Sequence, residues 1–247
     1  MYGRVPKPSD RSWLFNGSVE NEATLKPLCQ QIEKYFQLPA RRLCRYFAAV
    51  EDPALRRNTN LSLGTHYRGF HALYSKREYL PQYLSRCLFR PFDETPAEAV
   101  QAFDNLIYIR HSTCADTTGF VTTYAHELQH FVQHGNTPWL CSLNDVLARN
   151  LKRLEPSAIA TDVPDEREAN IVSKRVAEIV CGVGDVRRFA EERIAVMEKA
   201  GEQDEKDRWI FFREVPSSTK YDFPADTMRL VEKYKTKLNF GIDVKPA

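Results

Sequence analysis

The chain has 247 residues, 43% of them hydrophobic and 28% charged, with a formal net charge of +2. This is enough material for a sizeable core and excludes a disordered or low-complexity protein. No stretch reaches the ~18 uncharged apolar residues of a spanning helix, Met1 to Pro8 lacks an apolar signal core, and six scattered cysteines without a CxxC pair suit reduced thiols, so a cytoplasmic protein with no membrane partner is expected.

After the proline-rich start, Lys26 to Phe36 reads as an amphipathic helix, with Pro27 in its first turn and Leu28, Ile32, Tyr35 and Phe36 at helical spacing. A second short helix is expected from Ala40 to Ala49, before Glu51-Asp52-Pro53 punctuates the chain. The aromatic and β-branched mix of residues 60–74, around Gly64 and Gly69, predicts a hairpin, and Asn105-Leu106-Ile107-Tyr108-Ile109 a strand. Together these form a small sheet.

Charge is uneven over this region. Between Leu38 and Arg90 ten Lys and Arg stand against three acids, a local excess of +7. They are interleaved with Tyr46, Phe47, Tyr67, Phe70, Tyr74, Tyr79, Tyr83 and Phe89. Arginine with aromatics tracks phosphates and stacks on unpaired bases, which makes single-stranded nucleic acid a candidate partner for 38–90. The alternative is a solvated basic face over a core that holds the aromatics.

Thr117-Thr118-Gly119 leads into the next helix, which Gly135-Asn136 and Pro138 stop. Helices are expected from Asn144 to Leu154 and from Pro164 to about Cys181, where Gly182 to Gly184 end the run. Two or three more follow, including Asp185 to Lys199 and Ala225 to Leu238. The fold class is α+β with no internal repeat. It divides into a basic, aromatic region 1–103 within the same compact unit, a core 104–182 and a helical region 183–247.

The chemistry sits in His126-Glu127-Leu128-Gln129-His130. Histidines at i and i+4 project from one helix face and reach one tetrahedral zinc, while the Glu after the first sits beside the metal's water. Val121, Ala125, Leu128 and Val132 make an apolar stripe roughly opposite. One face anchors the helix and the other offers ligands. An accidental match would leave both histidines on a solvated surface. A catalytic zinc takes a third protein ligand, and Glu166, in Pro164-Asp165-Glu166-Arg167-Glu168-Ala169-Asn170, stands at the start of a helix with Asn170 four residues on. Asn170 is placed to orient a ligating histidine. Glu168 is the alternative third ligand, turned roughly 200° from Glu166, and a solvated acidic first turn is the plain alternative to both. His134, one turn past His130, lies about 5.4 Å too far along the axis, and reads as a helix C-terminal residue.

With Glu127 as general base, these residues predict a zinc peptidase. The paired segments His126-Glu127-Leu128-Gln129-His130 and Glu166-Arg167-Glu168-Ala169-Asn170 resemble the ImmA/IrrE-like metallopeptidases over roughly Asp104 to Ala177. The resemblance implies a minimal zincin-like core, a small sheet plus an active-site helix, with extra helices at both flanks. It also implies a glutamate third ligand, and a protein substrate such as a helix-turn-helix transcriptional repressor of a bacterial defence operon. Cys114, between the strand and the active-site helix, is a candidate fourth ligand that would displace the catalytic water. Otherwise it is an ordinary loop thiol. The reading from a different class is a zinc-bound zincin fold that senses or binds without turnover, against which the intact Glu127 argues.

Overall fold

The structure, a computed structural model, describes residues 13–16, 19–39, 43–48, 64–68 and 105–238. Strands β1 (Trp13–Asn16), β2 (Cys44–Ala48), β3 (Gly64–Arg68) and β4 (Asn105–Ile109) form one sheet in the order β1-β2-β4-β3. β1 and β4 both run parallel to β2, and β3 is antiparallel to β4. β4 is the strand its apolar run predicts, and it is an inner strand whose Ile107 and Ile109 are fully buried. β3 pairs with β4, with His66 level with Ile107. The rest of the hairpin expected over 60–74 lies outside the described residues.

The helix expected over 40–49 is instead strand β2, with 40–42 and 49 outside the described residues. The side chains described along this segment, Leu43, Arg45 and Phe47, are spaced by two and all buried. A charged residue on the buried face breaks the apolar alternation by which a strand is recognised. The first helix also shifts. α1 (Val19–Glu33) holds Pro27 in its interior, and its buried line is Leu25, Cys29 and Ile32, leaving Tyr35 exposed beyond its end.

Next come α2 (His111–Cys114) and α3 (Thr117–Asn136). Asp116 caps α3, accepting from the amides of Thr118 at 3.2 Å and Gly119 at 2.9 Å. The chain divides into two units, Met1–Phe131 and Val132–Ala247, and the boundary falls inside α3, which is continuous. In the first unit Phe47 of β2 meets Phe120 and Tyr124 of α3 edge-on, with centroids 5.1 and 5.8 Å apart. This seats α3 on the sheet.

The second unit is helical throughout its described residues apart from turns: the last residues of α3, then α4 (Pro138–Leu154), a 3-10 turn (Ala160–Asp162), α5 (Pro164–Cys181), α6 (Val183–Ala200), α7 (Gln203–Glu214) and α8 (Phe223–Tyr234). α4 starts six residues before the expected Asn144, because Pro138 takes a first-turn position and opens the helix as well as closing the previous one. α5 has the expected limits, and Gly182 turns the chain at φ +94°, a conformation that favours glycine. α7 is highly charged, and only Trp209 and Phe212 of it are buried, Trp209 edge-on to Phe189 of α6 at 5.4 Å. Leu147 and Leu151 of α4 pack with Val163, Tyr234 and Leu238. Asn144, fully buried, bridges α4 to α8 through Thr227 Oγ1 at 2.9 Å.

The described residues are thus predominantly helical with one small sheet. No helix among them is long and apolar enough to cross a membrane.

Candidate metal centre

α3 is held at both ends of the segment that carries its histidines. In the first unit Arg45 of β2 reaches into the space between α1 and α3. Its Nε donates to Glu33 Oε1 and to the Tyr124 hydroxyl, each at 2.8 Å, and Nη1 donates to Leu43 O at 3.2 Å. The Tyr124 hydroxyl also donates to Glu33. Burial opposes the charge on Arg45, but Tyr124 and Glu33 outweigh it and hold the guanidinium protonated. Burial likewise pushes the Tyr124 hydroxyl and the neighbouring Cys29 thiol well above their ordinary ranges. Tyr124 lies two residues before His126, so this network anchors α3 close to its histidines. Of the basic residues between 38 and 90, Arg45 alone has a described side chain, and it is buried and paired. Of the aromatics in that stretch Phe47 is fully buried, and apart from residues 38–39, 43 and the strands β2 and β3 the rest of the expected nucleic-acid stretch lies outside the described residues.

In the second unit Gln133, on the next turn of α3, donates through Nε2 to Asp165 O at 3.0 Å and to Glu168 Oε2 at 2.9 Å. α5 therefore meets α3 at its own first turn. Glu166 sits in that turn with its backbone held on both sides. Its amide donates to Asp165 Oδ1 at 2.9 Å, and its carbonyl accepts from Asn170 Nδ2 at 2.7 Å. Asn170 is buried and its amide nitrogen serves the backbone of Glu166.

His126 and His130 are 6% and 9% exposed, which rules out the solvated surface that an accidental match would leave. Their Nε2 atoms stand 3.1 Å apart, with ring centroids at 4.7 Å and planes at 83°. Two imidazole nitrogens on one tetrahedral zinc, each at about 2.0–2.1 Å, lie ~3.3 Å apart. The pair already has that spacing. A carboxylate oxygen of Glu166 joins them, the three ligand atoms lying within 4.8 Å of one another, and among the described residues this is the one such group of His, Cys, Asp and Glu. Glu127 follows His126 on the helix and is 7% exposed.

The chain matches no family model, no curated protein and no solved structure. Geometry and chemistry alone therefore speak for this centre.

Three residues from the sequence reading fall outside the group. Glu168 accepts from Gln133. His134 is buried in the last turn of α3. Cys114 ends α2, with its sulfur 3.9 Å from Ile109 O, and burial pushes its thiol from 9.0 up to about 12. Its sulfur is not one of the atoms in the group of His126, His130 and Glu166. The raised value also has a consequence for stability. The folded chain favours the neutral thiol more than the unfolded chain does, so this contribution is complete below about pH 9 and is lost as pH climbs toward about 12. Melting temperature is expected to fall over that window, and less steeply in Cys114→Ala. Identical slopes in the two proteins would show that another group carries the loss.

The sequence reading missed Gln133 and the network of Glu33, Arg45 and Tyr124. Gln133 had one signal, a polar residue three positions after His130 on the ligand face. Arg45 had none, because its partners lie 12 and 79 residues away.

Proposed function

We propose that this chain is a zinc-dependent endopeptidase with a zincin-like core, in which His126, His130 and Glu166 hold the metal and Glu127 is the general base. The observation that supports it most is the convergence of two buried histidine nitrogens 3.1 Å apart with a glutamate oxygen in the same group. Three protein ligands leave a tetrahedral ion one open position, the arrangement of a catalytic rather than a structural zinc. Zinc, when bound, supplies Lewis acidity toward the scissile carbonyl and toward a water molecule. Glu127 takes the proton from that water and delivers it to the departing amine. The buried setting of both histidines keeps their nitrogens from competing bulk water.

The resemblance of the two motif segments to ImmA/IrrE-like enzymes supports a protein substrate, and we take a helix-turn-helix repressor as its class. The basic, aromatic composition of 38–90 supports single-stranded nucleic acid as a regulator. The absence of a CxxC pair or cysteine framework supports a cytoplasmic setting.

The test is metal content and its linkage to folding. Purified chain is expected to carry one zinc, and to lose it in His130→Ala. Free zinc at about 100 times its dissociation constant should stabilise the metal-stripped chain by about 2.7 kcal/mol. A stripped chain whose melting temperature ignores zinc would overturn the assignment.

A further inference from the structure

Gln133 has no place in the chemistry above, yet it is 3% exposed and touches α5 at two points of the first turn. It lies seven residues after His126 and three after His130, which puts it on the same side of α3 as both histidines, ~4.5 Å further along the axis than His130. One face of one helix thus carries two ligands and the amide that grips the segment bearing the third. Its two contacts are a backbone carbonyl, Asp165 O, and a side chain, Glu168 Oε2. Glu168 is turned roughly 200° from Glu166 about the helix axis. A donor that fixes the carbonyl before Glu166 and the carboxylate after it fixes the rotation of this turn, and rotation decides which glutamate faces the histidines.

We infer that Gln133 is a positioning residue for the metal centre, holding the first turn of α5 so that Glu166 rather than Glu168 is presented to His126 and His130. The inference rests on the zinc reading above. It assigns Glu168 a task as well, as the anchor for Gln133 and not as a reserve ligand.

The experiment measures zinc affinity by competition with a chromogenic chelator, and the visible spectrum of the cobalt-loaded chain, for wild type and for Q133L, Q133E, E168Q and Q133E/E168Q. Far-ultraviolet circular dichroism of the metal-stripped proteins serves as the folding control. Q133L is expected to bind zinc about 10–100-fold more weakly, with an altered cobalt spectrum and unchanged helical content. E168Q should bind nearly as wild type, because its amide oxygen still accepts. Q133E places two carboxylates together and should bind weakly, and Q133E/E168Q, in which donor and acceptor exchange sides, should recover part of the loss. Wild-type zinc affinity in a folded Q133L overturns the inference. So does a double variant no better than Q133E, a comparison that stands even where Q133L fails to fold. Wild type that takes up no zinc at all overturns the metal assignment, and this inference with it.

Discussion

Glu127→Gln is expected to bind zinc at wild-type stoichiometry and to hydrolyse peptide bonds about 10²–10⁴-fold more slowly. The reasoning starts from position. Glu127 follows His126 on α3 and is buried with it, while the atoms grouped to hold a metal belong to His126, His130 and Glu166. The amide keeps the shape of the side chain and one acceptor oxygen but cannot accept a proton from water. Metal loading should survive and turnover should not. The measurement pairs zinc content with cleavage of a co-expressed helix-turn-helix repressor, and with cleavage of a quenched-fluorescent peptide library for the case in which the repressor is not the substrate. Undiminished cleavage by Glu127→Gln would remove Glu127 from the mechanism. Zinc binding with no cleavage by the wild type in either assay would favour the zinc-bound sensor that turns nothing over.

The second large effect is on stability. Arg45→Met is expected to destabilise the chain by about 3 kcal/mol, the lower end of what breaking a buried ion pair costs, because Glu33 keeps some contact with solvent at 17% side-chain exposure. Three groups lose the bond from Arg45 at once, Glu33, the Tyr124 hydroxyl and Leu43 O, and only the bond from Tyr124 to Glu33 is left of the network. At about 2–4 °C per kcal/mol for a chain of this size, the melting temperature should drop on the order of 6–12 °C. Tyr124→Phe removes one hydroxyl from the same network and should cost about 1–2 kcal/mol. Arg45→Lys should not restore the wild-type value, since a lysine cannot present the planar fork that serves Glu33 and Tyr124 together. Thermal unfolding in the absence of metal measures all three. An Arg45→Met chain within about 0.5 kcal/mol of wild type would show that the network is incidental to the seating of α3.

Much of the helical framework was legible because its signals are local. Pro164 at one end and Gly182 at the other bracket α5, and the apolar run of Asn105–Ile109 marks β4. Elements whose identity depends on distant partners were not legible. β2 reads as a helix until Arg45 is known to be buried against Glu33 and Tyr124, and β1 is too short and too close to the proline-rich start to show a period of two. α7 was unplaced because its only buried side chains, Trp209 and Phe212, are too few to mark an apolar face.

By itself the sequence determines which side chains this helix face offers. Two histidines four apart, with a glutamate between them, share a helix face because the helix repeats every 3.6 residues, and that needs nothing from the rest of the chain. Only the tertiary structure decides the rest. Glu166 and Glu168 are equal candidates by residue type, and what separates them is a glutamine more than 30 residues earlier that bonds to Glu168 and to the carbonyl of Asp165. Whether the histidines meet solvent or a ligand depends on their burial, and whether Cys114 is a ligand depends on the neighbours of its sulfur. Those are contacts between parts of the chain remote in sequence, and no local pattern encodes them.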